Sequence, residues 1–151
     1  MKILLIAFLL SASTAVAGWL PDPAITPGAT RVVTVKELCT TSTKAVRHTT
    51  SATKASIYRK YGETPRRAPE CTGPSNSCFE VDHLVPLEVG GADVIENLWP
   101  QKYDGEWGAH RKDLLENLMH RKVCKGEISI QDAQKALMEN WIDGYKKYFA
   151  R

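Results

Sequence analysis

The sequence predicts a single α+β domain stapled by disulfides, and three observations carry that prediction. Phe79-Glu80-Val81-Asp82 alternates apolar and acidic side chains as a half-buried strand does, and Leu98-Trp99-Pro100 supplies a second short strand beyond a Gly-Gly turn. Apolar residues then recur at helical spacing over Ala109 to about Lys122 and from Ser129 to Tyr148. Four cysteines, Cys39, Cys71, Cys78 and Cys124, lie outside the apolar N-terminus. At 151 residues, 43% of them hydrophobic, the chain is long enough for one modest core and carries no internal repeat or second domain.

Residues 1–17 read as an export signal and not as part of that core. Lys2 is a short basic start, Ile3 to Leu10 an apolar run, and Ala15-Val16-Ala17 a small-residue cleavage site before Gly18. The run is well short of the roughly 20 residues a membrane span needs. The expected mature protein is therefore secreted or periplasmic, free of the membrane, and monomeric. In an oxidising compartment an even number of cysteines implies two disulfides, for which three pairings are possible. Cys71 and Cys78 flank Thr-Gly-Pro-Ser-Asn-Ser, a turn-rich segment that could close them into a small loop and leave Cys39 for Cys124. Zinc binding is the weaker alternative, because the C-x-x-C spacing of zinc knuckles is missing.

Residues 18–33 hold Pro21, Pro23 and Pro27 and form an extended arm, with Trp19 and Leu20 as its anchors. The domain proper runs over residues 34–151. At its start the β-branched residues up to Val35 suit a strand, while Thr34 and Glu37 fit a capping box; local signals leave both open. Thr40 to Thr53 is a Ser/Thr-rich stretch with Lys44, Arg47 and a surface His48, and Ser51 or Thr53 then caps a short helix ending at Gly62. Charge is unevenly distributed: residues 18–67 hold nine Lys or Arg against three acids, whereas residues 68–151 hold ten against fourteen. Lys44, Arg47, Arg59, Lys60, Arg66 and Arg67 are the candidates for gripping phosphates.

The strand at Phe79 delivers Asp82 and His83 side by side, one able to ligate a hard cation and the other to take a proton near neutral pH. Gly90-Gly91 allows a tight turn, Asp93 and Glu96 have capping-box spacing, and Asn97 follows in a brief helical turn. Trp99 is expected to pack between strand and helix, and His110 falls in the first turn of the next helix, where it could point back towards Asp82. Leu114, Leu115, Leu118 and Met119 form that helix's apolar stripe, and Ala133, Leu137, Trp141, Tyr145 and Tyr148 that of one final helix.

The ordered set Asp82-His83-Leu84-Val85-Pro86-Leu87, Gly90-Gly91, Asn97-Leu98-Trp99-Pro100, Gly108-Ala109-His110-Arg111-Lys112-Asp113 and Leu115-Glu116-Asn117 resembles the HNH endonuclease motif. More closely it is similar to the small secreted HNH-like proteins of bacteria and their phages, over about Thr34 to Tyr148. The resemblance implies a ββα-metal finger braced by additional helices, holding one divalent ion (Mg²⁺, Mn²⁺ or Zn²⁺). It implies His83 as general base, Asn97 as the residue that holds loop and base in place, and Asp82 and His110 as metal ligands. It also points to the Cys39–Cys124 pairing. His110 lies thirteen residues after Asn97, a longer gap than many HNH motifs show. His120 on the same helix is the alternative closing ligand, with Glu106 and Asp113 in reserve. The expected function is metal-dependent phosphodiester hydrolysis, of DNA ahead of RNA, with low sequence specificity because no reading module is present. The rival is an exported nucleic-acid- or protein-binding module on the same fold without catalysis.

Overall fold

The computed structural model describes residues 18–150; the expected export signal lies outside them. Among the described residues, five α-helices and a two-stranded antiparallel sheet make up a mixed α+β fold: α1 (Val35–Thr40), α2 (Ser51–Lys60), β1 (Phe79–His83), β2 (Leu98–Lys102), α3 (Ala109–Cys124), α4 (Ile130–Met138) and α5 (Trp141–Phe149). The choice left open at residue 34 resolves to a helix, because Thr34 Oγ1 accepts a hydrogen bond from the Glu37 amide and satisfies one of the first-turn donors. Thr50 caps α2, one residue before the earliest candidate. Ser129 caps α4 as expected.

Register in the sheet sets Glu80 opposite Gln101 and Asp82 opposite Trp99, so these four share one face. Helix α2 packs Ile57 and Tyr61 against Leu84, Leu98 and the fully buried Trp99. A second cluster forms where α3 lays Leu115, Met119 and Val123 against Ala133 and Leu137 of α4, Trp141 of α5, Leu38 of α1, and Val85 and Val89 of the loop after β1. Two details differ from the sequence expectation. Leu114 is half exposed, and the buried stripe of α3 runs instead through Lys112, Leu115, Met119 and Val123. The final helix is broken in two: Asn140 Oδ1 accepts hydrogen bonds from the amides of Ile142 and Asp143 at 3.1 and 3.3 Å and starts α5 afresh.

Gly91 lies where a Cβ would come within 1.8 Å of the Val85 carbonyl oxygen, and its neighbour Gly90 has φ +86°; only glycine fits this loop. The N-terminal arm is strapped along the loop's outer side. Thr26 Oγ1 donates to Leu98 O at 2.8 Å, Gly28 N to Glu96 O at 2.9 Å and Arg31 N to Gly90 O at 2.9 Å, while Trp141 Nε1 donates to Trp19 O at 2.7 Å. Both disulfides are formed, Cys39–Cys124 joining α1 to the end of α3 and Cys71–Cys78 closing the small loop before β1.

Candidate active site

The last residue of β1 turns its ring inward. His83 is 2% exposed, and its Nε2 lies 2.7 Å from Asp93 Oδ1. Asp93 also accepts hydrogen bonds from the His48 amide and the Thr49 hydroxyl. The capping-box reading of Asp93 is thereby corrected: the short turn Ile95–Asn97 begins at Val94 without a side-chain cap, and Asp93 instead orients His83. Burial alone would raise the Asp93 carboxyl, but the three donors hold it at about 2, so it is a carboxylate under ordinary conditions. Burial lowers the His83 imidazole below its usual value, opposed by Asp93 and Asp82. The ring is therefore neutral at pH 7. With a carboxylate accepting at Nε2, that nitrogen carries the proton and Nδ1 holds the lone pair.

Asp82 meets a partner the sequence reading passed over. Lys112 of α3 is 0% exposed, and its ammonium donates to Asp82 Oδ2 and to the His83 carbonyl oxygen, both at 2.6 Å, and also to Glu116 Oε1. Three acceptors meet three donors, which is what a fully buried lysine requires. Burial opposes its charge, but Asp82 and Glu116 outweigh burial and raise Lys112 above its ordinary value. Burial raises the Glu116 carboxyl in turn. The signal was available: Lys112 and Glu116 are four residues apart on one helix face, and Lys112 shares the helical phase of Leu115 and Met119.

Asn97 is fully buried and ties three strands of chain together. Its Nδ2 donates to Val85 O and Ala92 O, each at 2.8 Å, and its Oδ1 accepts from Val85 N at 2.9 Å and Ala29 N at 3.3 Å. All of its hydrogen-bonding capacity is used to hold the loop that carries His83 and Asp93.

A polar cleft of about 80 Å³ opens beside the pair, walled by Asp82, His83, Glu88, Glu116, Thr43 and Arg47. Glu88 Oε1 is buried there without a hydrogen-bond partner, and burial pushes its carboxyl up. Of the six basic candidates, Arg47 lines this cleft, and Lys44 follows the cleft-lining Thr43 in the short turn Thr43–Ala45. Arg59 and Lys60 stand exposed at the end of α2, Arg66 pairs with Glu70 at 3.3 Å, and Arg67 is exposed. His110 does not enter the cleft's wall. Its side chain is 66% exposed, 3.9 Å from Asp113 and edge-on to Tyr103. Burial, followed by the charges of Asp82 and Asp113, pushes Glu80 up to about 7. A larger hollow of about 470 Å³ between α4 and α5 is walled by surface charges such as Asp132, Lys135 and Asp143, and has no histidine.

His120 lies elsewhere again. Its Nε2 is 3.4 Å from Cys124 Sγ, and Cys39, His120 and Cys124 bring one ligand atom each within 4.8 Å of one another. Among the described residues this is the only group of three or more His, Cys, Asp or Glu donors so closely gathered, and such a group can hold a metal ion. Its two sulfurs are here joined in a disulfide. Comparison with family models, curated proteins and solved structures finds no match to this chain.

Proposed function

We propose that the chain is an exported, metal-dependent endonuclease of the HNH type, hydrolysing phosphodiester bonds with low sequence specificity. The observation that carries this reading is the Asp93–His83 pair: a neutral imidazole, fixed through Nε2, beside a cleft lined by carboxylates and one arginine. The order β1, Gly-Gly loop, β2, α3 supports the ββα-metal finger expected from the resemblance.

Two cleft carboxylates, Asp82 and Glu88, are the donors open to a divalent ion, since Glu116 and one oxygen of Asp82 are taken by Lys112. Asp82, Glu88 and Glu116 share the cleft, and the orphaned Glu88 Oε1 is an oxygen in want of a cation or a donor. Asp82 and Glu88 would hold the ion; His110, the closing ligand that the resemblance implies, stands 66% exposed beside Asp113 and Tyr103 and outside the cleft's wall. When bound, the ion would neutralise charge on the scissile phosphate and help the leaving oxygen depart. The chain's own residues do the rest. His83 Nδ1 takes the proton of the attacking water, Asp93 stabilises the imidazolium that results, and Arg47 receives a phosphate oxygen at the cleft mouth. Lys112 holds Asp82 and the His83 backbone in one place while this happens.

The binding-module reading has two observations in its favour: His83 is almost entirely covered, and Asp82 already has a cation in Lys112. Cleavage of plasmid DNA and of mixed RNA by the oxidised protein with EDTA, Mg²⁺, Mn²⁺ or Zn²⁺, beside His83→Ala, separates the two. Metal-dependent cutting lost in the variant supports the nuclease. A folded protein that binds nucleic acid and cuts neither substrate under any metal overturns it.

A further inference from the structure

We propose that reduction of the Cys39–Cys124 disulfide creates, with His120, a three-ligand site for a thiophilic divalent cation, zinc foremost, so that metal and disulfide are alternative fastenings of the same corner. This goes beyond the nuclease reading and does not depend on it.

The geometry is close to what zinc requires. In a tetrahedral site with Zn–S about 2.3 Å and Zn–N about 2.0 Å, the ligand atoms stand roughly 3.5–3.8 Å apart. His120 Nε2 is already 3.4 Å from Cys124 Sγ, and all three donor atoms fall within 4.8 Å. The sulfurs alone must separate, from a bond of about 2 Å to about 3.8 Å. Their positions permit it. Cys124 is the last residue of α3, and Cys39 is next to last in the six-residue α1, just before the loop of residues 41–50. Both sulfurs thus sit on helix ends and not within a rigid span. The His120 nitrogen facing the sulfurs is also the one 3.4 Å from the Leu38 carbonyl oxygen. Ligation therefore needs the tautomer with its proton on Nδ1, and Nε2 exchanges that long contact for the metal.

The chemistry balances with a dithiol reductant. A reductant thiolate attacks one sulfur of the disulfide and the other leaves as a thiolate. A second exchange releases the reductant as its own disulfide, with Cys39 and Cys124 as thiols. Zinc binding then displaces up to two thiol protons and leaves a fourth position for water. In the reverse exchange a small-molecule disulfide takes up the two electrons, leaving as its two thiols while Cys39–Cys124 re-forms and the ion is expelled. The Cys71–Cys78 pair has no third donor of this kind among the described residues, which makes it the internal control.

The test is metal titration of the purified protein, oxidised and after phosphine reduction under nitrogen, with Zn²⁺ and with Co²⁺ as a spectroscopic probe of thiolate ligation. The expected result is one more tightly bound ion in the reduced protein than in the oxidised protein, with a cobalt–thiolate charge-transfer band seen only in the reduced form. Cys39→Ser and Cys124→Ser should each weaken binding more than about 100-fold, beyond the usual effect of changing only a ligand's neighbours, and His120→Ala should weaken it as well. The Cys71→Ser/Cys78→Ser variant should bind as the parent does. If reduction unfolds the chain, zinc should restore the helical circular dichroism in the parent and not in His120→Ala. Absence of a bound ion or of zinc-driven refolding in the reduced parent overturns the proposal. So does equal binding by the oxidised protein, or binding that survives loss of Cys39 and Cys124 but not of Cys71 and Cys78.

Discussion

Lys112→Met keeps the length and most of the volume of the side chain while removing its charge, and so isolates the electrostatics of the buried triad. In the parent, the ammonium satisfies the Asp82 and Glu116 carboxylates and the His83 carbonyl at once. The variant leaves two carboxylates facing each other and one buried carbonyl without its donor. Removing one partner of a buried ion pair costs about 3–5 kcal/mol. The Asp82 and Glu116 side chains retain 22% and 14% exposure, which places the expectation at the lower end, about 3 kcal/mol. For a chain of this size that is a fall in Tm of about 10 °C. Urea and thermal unfolding measured from pH 4 to pH 8 carry a second signature. The Lys112 pKa is raised in the fold, so its contribution is complete below the unfolded lysine value and is lost only in strong alkali. Without it, the Glu116 carboxyl, which burial already raises, loses the cation that opposed that rise. The folded variant then holds protons that its unfolded chain has released, and its stability rises as pH falls towards 4. The deficit relative to the parent should therefore shrink on acidification, and Glu116→Gln in the variant background should recover part of it at pH 7. A deficit under about 1 kcal/mol, or one that is flat with pH, would refute the reasoning and leave only a packing effect.

If the chain is a nuclease, His83→Ala should lose about 10²–10⁴-fold in cleavage with its circular dichroism unchanged. The acid limb of the parent's pH–rate profile should lie below the ordinary histidine value, because burial lowers the His83 pKa; Asp93→Asn should cut more slowly and move that limb lower still, as the imidazolium loses its partner. Asp93 is depressed to about 2, so its contribution to stability is present above the ordinary aspartate value and is lost as pH falls from about 4 to about 2, which acid unfolding of parent and Asp93→Asn should show. Asn97→Ala removes four hydrogen bonds from a buried loop and should cost more than about 2 kcal/mol by urea unfolding, with cleavage falling in step. Loop-closure entropy predicts that losing Cys39–Cys124, which spans 85 residues, costs about 4–5 kcal/mol, and losing Cys71–Cys78, which spans 7, about 2–3 kcal/mol. Serine double variants compared by chemical unfolding check that order.

Both strands, helices α2 to α4, the covered Trp99 and the Cys71–Cys78 loop were legible in the chain, because each is written in neighbouring residues: alternation before Asp82, caps at Ser129, turn residues between Cys71 and Cys78. Cys39–Cys124, 85 residues apart, was one of three open pairings that only the resemblance singled out. What was not legible depends on partners distant in sequence. Asp93 looks like a helix cap until Thr49 and His83 arrive to use it. The phase of Lys112 with Leu115 and Met119 marks it for burial, but its partner Asp82, thirty residues earlier, is not visible from the helix alone. Asn140 interrupts a continuous apolar stripe because its amide oxygen caps a new helix, a local competition that periodicity does not register. His110 and His120, weighed as rivals for one ion, occupy separate settings, the first beside Tyr103 and the second beside a disulfide.

The strap formed by the N-terminal arm makes the cleft a property of the whole chain. Ala29 completes the shell of Asn97 from 68 positions away, Trp19 reaches Trp141 across 122, and Thr49 completes the shell of Asp93 across 44. Such pairings form late, because each must close a long loop before it stabilises anything. A segment cut to residues 79–124 would contain every motif residue and yet lack the His48 and Thr49 donors that fix Asp93 and the Ala29 amide that completes the shell of Asn97. The constellation is thus not a portable cassette, and circular permutants or grafts that sever residues 18–50 from the hairpin should keep secondary structure while losing the site.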